Sequence, residues 1–176
     1  MRSVPSVLRT PAAAYVRRLE RKMWTAVVTQ ADADSLLGLF GSFHDGCIRE
    51  AHVWGGYYVS PDMSMKCPST PDLQCSLLIQ RQWEDPSVIE LLFDQVSRIT
   101  VAAPEAFDRI ISAADLRVEP DRIVWSSVTE FEEVNREIES VTSVVGRRAW
   151  WRAIDNGLGS VLRYGVPDDL PNGFAL

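Results

Sequence analysis

Several residue types and motifs that mark well-known functions are missing from this 176-residue chain. It has three cysteines and two histidines, and no Cys-x-x-Cys pair to form a zinc knuckle or a redox dithiol. The phosphate-binding, dinucleotide-binding, nucleophile-elbow and metalloprotease motifs are missing too. No apolar run approaches the roughly 18 residues that a membrane-spanning helix needs. We therefore expect no bound cofactor, no stoichiometric zinc and no membrane span.

Lysine is also scarce, since Lys22 and Lys66 are the only two among 18 basic residues. We interpret the arginine bias as that of a GC-rich bacterial genome. The cysteine count is odd, and the apolar stretch at 12–16 is too short and wrongly flanked for a secretory leader. Both features favour reduced thiols and a cytoplasmic protein.

The net charge of −6 is unevenly distributed. Residues 1–22 carry +5, residues 23–104 and 105–146 carry −6 each, and residues 147–176 carry +1. An acidic body repels nucleic acid, because nucleic-acid binding depends on phosphate neutralisation by basic side chains. This charge favours a basic protein as the partner. Self-association into a homo-oligomer is also compatible with the sequence.

Composition predicts a folded chain, with 46% apolar and 24% charged residues. We expect a basic tail and short helix over residues 1–22 and a single domain over 23–176. Good helix formers at 12–23 predict the short helix, and Asp32 is a favourable N-cap for a second helix over 32–40. Apolar residues at helical spacing support the second helix. They are Leu36, Leu39, Phe40 and Phe43.

From residue 47 onward the pattern predicts strands. We expect strands at 47–59, with a bulge or tight turn at Gly55-Gly56, and at 75–83 and 88–93, which form a hairpin. Further strands are predicted at 96–102, 123–128 and 140–154, and a proline-containing loop at 60–72. The predicted fold class is α+β, with N-terminal helices followed by a mostly antiparallel sheet of six or seven strands, and with more strand than helix.

Two segments allow alternative predictions. Residues 104–118 fit either a helix beginning at Pro104 or a strand, and we prefer a strand over 109–118 because 123–128 resembles the return of a hairpin. Residues 129–139 are acidic and fit either a short helix or a loop.

The densest polar cluster lies at residues 42–52, where His44, Asp45, Glu50 and His52 are candidate binding residues. A shared metal is excluded for the two histidines, which lie about 27 Å apart in an unbroken strand. Glu50 and His52 lack an identifiable third ligand, and a Cys47–His44 nucleophilic pair lacks an oxyanion hole. We therefore assign no catalytic and no metal residue. We expect Asp45 to accept backbone N–H groups at the helix-to-strand junction, so that Asp45→Ala destabilises the fold.

Two other side chains are candidate binding residues. Arg81 lies in the strand sequence Gln80-Arg81-Gln82 and is expected to contact a carboxylate inside the fold or a ligand. Trp150 and Trp151 point to opposite faces of a regular strand, so we expect one of them in the core and the other at the surface. Trp151 is the candidate binding residue of the two.

Three segments resemble a group of uncharacterised small bacterial proteins that share a Phe-His-Asp-x-Cys segment and a Gln-Arg-Gln strand. The segments are residues 41–47, residues 78–82 with 85–91, and residues 151–156. The resemblance covers about residues 24–160 and implies a β-hairpin over 110–128. By analogy the group is similar to the compact acidic immunity-type proteins that accompany bacterial toxins, and it implies no assigned activity.

Two function classes follow. The first is a non-catalytic binding or regulatory protein, immunity-like by that analogy, that acts through its acidic surface on a protein partner. The second is a small enzyme or ligand-binding protein that uses the polar cluster between His44 and His52. The first is favoured, because a nucleophile, a base and an orienting residue are not recognisable together.

Overall fold

The computed structural model describes residues 23–82, 85–102, 110–129 and 141–164. Within these ranges 43% of the residues are in strands and 11% are helical. The predicted excess of strand over helix is confirmed. The predicted tail and helix in residues 1–22 and nearly all of the acidic segment 129–139 lie outside the described residues.

The described chain contains eleven strands, a single α-helix and one 3₁₀ turn. The helical elements are α1 (Gln30–Leu39) and the 3₁₀ turn (Gly41–Phe43). The strands are β1 (Thr25–Val27), β2 (Gly46–Trp54), β3 (Tyr58–Val59), β4 (Met65–Lys66), β5 (Gln74–Arg81), β6 (Val88–Asp94), β7 (Arg98–Thr100), β8 (Asp115–Val118), β9 (Ile123–Ser126), β10 (Ser143–Gly146) and β11 (Arg148–Ala153). None of the helices in these ranges is long and apolar enough to cross a membrane.

The strands form three antiparallel sheets. The largest has the order β1-β11-β6-β5-β2, the second has the order β7-β10-β9-β8, and β3 pairs with β4 alone. The hairpins predicted from the sequence are present as β5–β6 and β8–β9. Residue 110 is not in a strand and Ile111 makes only an isolated bridge to Gly46, so the strand predicted over 109–118 is shortened to β8.

The predicted α+β fold class is wrong, because the described chain is mostly β and has one α-helix instead of a helical N-terminal layer. The unpredicted strands β1 and β4 have only three and two residues. An alternation pattern needs about four to eight residues to be recognised, so strands this short leave no clear signal in the sequence.

The predicted single strand over 140–154 is in fact two strands that belong to different sheets. β10 continues into β11 past Gly146, where an added Cβ would lie 3.1 Å from Asp94 O. The neighbouring chain turns at the same corner, because Gln95 has a φ of +51° between β6 and β7. Hydrogen bonds from Arg147 N to Asp94 O and from Ser97 N to Val145 O continue the pairing across the corner.

The larger of two clusters of buried apolar residues lies between the inner faces of the two larger sheets and one side of α1. One row of the four-stranded sheet places Leu116, Trp125 and Val144 opposite one another, and all three are at most 1% exposed. Burial of large aliphatic and aromatic side chains from several strands is the main stabilising contribution. The five-stranded sheet contributes Leu77 and Leu91, and α1 contributes Leu36.

The N-cap of α1 lies three residues before the predicted N-cap, Asp32. Thr29 is the N-cap, and its hydroxyl accepts from Asp32 N while the Asp32 carboxylate accepts from Thr29 N at 2.8 Å. This is a capping box, in which the side chain at the third helical position satisfies the N-cap backbone. The bonds from Thr29 and Val28 hold the pKa of Asp32 below its usual range.

Candidate functional site

The outer face of the five-stranded sheet carries polar residues at positions set by strand alternation. In β6, Ile89 faces the core and Glu90 faces outward. Arg152 of β11 lies directly opposite Glu90 on one side, and Leu78 of β5 lies opposite it on the other. Residues paired in this way have adjacent side chains, so the antiparallel register itself brings the acid and the arginine together.

Glu90 is a buried carboxylate, only 4% exposed. Its Oε1 accepts hydrogen bonds from Ser76 Oγ at 3.0 Å and from Tyr164 OH at 2.7 Å. Its Oε2 accepts from Arg152 Nε at 2.8 Å and Nη2 at 2.6 Å, and Arg163 Nε lies 3.5 Å away. A buried charge is tolerated when it is paired and hydrogen-bonded, and Glu90 meets both conditions.

Residues 155–164, here called the strap, lie across this face. Gln80 Nε2 donates to the carbonyl oxygens of Gly157 and Gly159 at 2.7 and 3.2 Å. The Glu50 carboxylate accepts from the backbone N–H groups of Arg163 and Tyr164 at 2.7 and 3.0 Å. The strap is therefore attached to β2, β5 and β6 at once.

A β-bulge in β2 explains how that strand reaches the strap. The register shifts between Ile48 and Glu50, so one residue of β2 has no partner in β5. A bulge bends the strand locally and re-aims its side chains. Here Arg49 donates to Ser160 O, and the next residue, Glu50, accepts from the strap backbone.

The electrostatics of this cluster keep Glu90 ionised and Tyr164 protonated at neutral pH. Burial alone would raise the pKa of Glu90, but hydrogen bonds from Tyr164 and Arg152 and the charges of Arg152 and Arg163 outweigh it and lower the pKa below its usual value. Burial, reinforced by the neighbouring Glu90, raises the pKa of Tyr164 well above its usual value. The cluster thus holds the strap against the sheet through charge-assisted hydrogen bonds.

Tyr164→Phe is expected to lower the free energy of unfolding by about 1–2 kcal/mol, because it removes the hydroxyl shared by Glu90 and Ser76. The larger effect should be local, with faster hydrogen exchange of strap amides such as those of Arg163 and Tyr164. Hydrogen exchange with mass spectrometry measures it. Tyr57→Phe, at a tyrosine that is 61% exposed, is the matched control, and equal exchange in the two variants would contradict the role of the hydroxyl.

The candidate residues of the polar cluster are divided between two places. His44 and Asp45 lie in the turn before β2, where His44 Nδ1 is 3.2 Å from Asp45 Oδ2 and the two side chains are 67% and 44% exposed. Glu50 and His52 lie further along β2, beside the strap, and the His52 ring is 4.9 Å from the rings of Trp54 and Tyr164. The structure therefore brings Glu50 and His52 together through Tyr164 and leaves His44 and Asp45 apart from them.

The role expected for Asp45 changes with its observed contacts. Within the described residues its carboxylate contacts His44, and no backbone N–H of the junction donates to it. Its backbone has a φ of +57°, a left-handed conformation that aspartate tolerates better than alanine and glycine tolerates best. The stability contribution of this position therefore lies in the backbone.

Asp45→Gly is accordingly expected to leave the stability unchanged or raise it, whereas Asp45→Ala lowers the free energy of unfolding by about 1 kcal/mol. Urea unfolding of both variants measures the difference. Equal destabilisation by glycine and alanine would instead assign the effect to the carboxylate.

Arg81 is 5% exposed and joins three parts of the fold. Its Nε donates to Pro86 O and its Nη2 to Leu39 O, both at 3.1 Å, and its guanidinium lies 4.4 Å from the centroid of the Phe40 ring. Leu39 O belongs to the last turn of α1, whose carbonyl groups lack partners within the helix. These contacts give Arg81 a structural role at the helix end.

Trp151 packs against the core from β11, between Thr25 and Leu91 in the register. Its neighbour Trp150 is on the outer face, where Arg148 lies 5.7 Å from its ring. The predicted division of the two tryptophans between opposite faces is therefore seen, with Trp151 on the core side.

The β3–β4 hairpin presents a second surface that sequence reasoning did not identify. Five of its apolar side chains are 55% to 84% exposed, and we call them the hairpin surface. They are Tyr57, Tyr58, Val59, Met63 and Met65. Val59 and Met65 are directly paired across the two strands. Adjacent aromatic and methionine residues in a segment predicted as the end of a strand and a loop are the signal that points to this surface.

Neither surface contains a recognisable metal site, since no group of three or more His, Cys, Asp or Glu side chains converges within the described ranges. Glu90, Arg152 and Tyr164 were also missed at the sequence level, although a glutamate within the apolar run of β6 needs a buried partner. Comparisons of the chain with protein families, with curated proteins and with solved structures find no match.

Proposed function

We propose that this protein is a non-catalytic binding protein that docks a basic protein partner on the hairpin surface. The supporting observation is the concentration of exposed apolar side chains there. Of the sixteen large apolar residues that are exposed in the described chain, eight lie between Val53 and Leu73. Exposed apolar side chains concentrated in one segment are typical of interaction sites, and aromatic and methionine residues are enriched in such sites.

Within the described residues, the core does not account for the apolar character of the hairpin. A two-stranded sheet is marginally stable alone, and these five side chains are excluded from the described core. It is attached at its base, where Asp72 accepts a hydrogen bond from Gly56 N. Burial of these exposed side chains by a partner lowers the free energy of the complex.

Charge supports a basic partner. Between residues 50 and 73 the acids Glu50, Asp62 and Asp72 outnumber the single base Lys66, and the whole chain carries −6. Hydrogen bonds from Ser60 and Ser64 lower the pKa of Asp62 to about 2, so this exposed carboxylate is ionised beside Met63 at neutral pH. Opposite charge on the partner would increase its rate of association.

The groups around Glu90 do not favour the enzymatic alternative. Both carboxylate oxygens bind groups of the protein, and Tyr164 OH is committed to Glu90 and Ser76. A general base must be within reach of a substrate proton, and side chains of the sheet and of the strap occupy these atoms. The analogy with immunity-type proteins implies a toxin as the partner, which belongs to the same binding proposal.

Photo-crosslinking in cells tests the proposal. A photoreactive residue at Tyr58 should crosslink a basic protein, and the same residue at Val161, which is 83% exposed on the strap, should not. Met63→Ser with Met65→Ser should abolish the crosslink at Tyr58. Equal crosslinking at both positions, or retention by the double variant, would contradict docking at the hairpin surface.

A further inference from the structure

β2 is an edge strand of the five-stranded sheet. It pairs with β5 along its length, and on its other side a bridge joins Gly46 to Ile111. Within the described residues no strand continues that second pairing beyond Gly46. An edge strand directs the N–H and C=O groups of alternate residues away from the sheet, where another strand can bind them.

The two halves of β2 differ in how they are protected against such pairing. The first half contains the bulge and the charged pair Arg49 and Glu50, both of which are devices that block edge pairing. Residues 51–54 contain no charge, no proline and no bulge, and all four are exposed. Val53 is 46% exposed and Trp54 is 38% exposed, on opposite faces of the strand.

We propose that residues 51–54 of β2 bind an extended segment of a basic partner by strand addition. This inference rests on the proposed function and names the kind of segment that the partner supplies. Backbone N–H and C=O groups select an extended chain, and the exposed side chains of Val53 and Trp54 select apolar residues at alternate positions of that chain.

Charge complementarity selects a basic segment over a second copy of this chain. Two copies would each bring a net charge of −6 to the interface, whereas a basic segment brings the opposite charge. A basic segment with alternating apolar residues combines attraction to the net negative charge of the chain with contacts to the exposed side chains of Val53 and Trp54. The rings of Trp54 and Tyr164, each with its centroid 4.9 Å from that of His52, flank the segment on the outer face.

The test uses the full chain and a displayed library of decapeptides in which apolar residues alternate with random ones. Selected peptides should be enriched in Lys and Arg over Asp and Glu. N-methylation of alternate backbone amides on the pairing edge should weaken binding by about tenfold or more, whereas N-methylation on the opposite edge should not. Binding should slow hydrogen exchange of β2 amides in residues 51–54.

Three outcomes would overturn the inference. In the first, N-methylation does not weaken binding of the selected peptides, but Met63→Ser with Met65→Ser abolishes it. Such peptides dock on the hairpin surface without strand pairing, so the inference fails while the proposed function is retained. Protection of β2 amides that depends on protein concentration alone would identify a second copy as the occupant. If no peptide is enriched from the library, an extended ligand is excluded. Photo-crosslinking at Tyr58 then tests separately whether a partner docks on the hairpin surface.

Discussion

Trp125→Ala is expected to lower the free energy of unfolding by about 3–5 kcal/mol, which corresponds to a fall in melting temperature of roughly 6–20 °C. Trp125 is fully buried at the centre of the four-stranded sheet, and its ring lies 5.9 Å from that of Phe43 in an edge-to-face contact. The alanine variant leaves a cavity that a β-sheet cannot easily close. Thermal or urea unfolding measures the effect.

Trp54→Ala is the matched control for this change. It removes the same side chain from a position that is 38% exposed at the end of β2, where little cavity forms. Its cost should be about 1 kcal/mol or less. A comparable loss of stability in the two variants would contradict the assignment of Trp125 to the core.

Glu90→Gln is expected to cost about 3–5 kcal/mol at neutral pH, because it leaves the partly buried Arg152 without its buried counter-charge. The cost should depend on pH. The pKa of Glu90 is lower in the folded protein than in the unfolded chain, so its ionised form stabilises the fold above the unfolded value. That stabilisation is lost as the pH falls through the lowered pKa of the folded state, so the difference in stability between the wild-type protein and the variant should narrow in acid.

Urea unfolding of both proteins between neutral and acidic pH measures this convergence. Asp94 also contributes to the loss of stability in acid, because hydrogen bonds from Gln74 and Arg148 outweigh its burial and lower its pKa. This contribution is present in both proteins and does not affect the difference between them. Asp121→Asn, at an exposed acid, controls for the loss of one negative charge. If the difference in unfolding free energy between the two proteins stays constant with pH, ionisation of Glu90 is not its cause.

The local elements with strong patterns could be predicted from the sequence. The apolar spacing of α1 and the alternation in β5 and β6 are local properties, so their existence and approximate bounds follow from the residues alone. The hairpins β5–β6 and β8–β9 follow as well, because short turns connect their strands. The capping threonine was missed because Asp32, three residues later, takes part in the same capping box.

The arrangement of these elements was decided by contacts between residues far apart in sequence. The chain between β10 and β11 passes from one sheet to the other because its ladder partner, β6–β7, turns at the same corner. Nothing in the local pattern of residues 140–154 distinguishes that path from one continuous strand. The helical signal in α1 was real, but the short strands raised the β content beyond an α+β fold.

The sequence by itself determined the composition of the core, the acidic charge and the main hairpins, because these depend on residue type and on neighbours within a few positions. The tertiary structure alone decided the site. Glu90 and Tyr164 are 74 residues apart, and only the sheet register and the strap place them within hydrogen-bonding distance. Which side of β2 lacks a neighbouring strand within the described residues, and which of their apolar side chains are exposed, likewise depends on long-range packing that no local pattern contains.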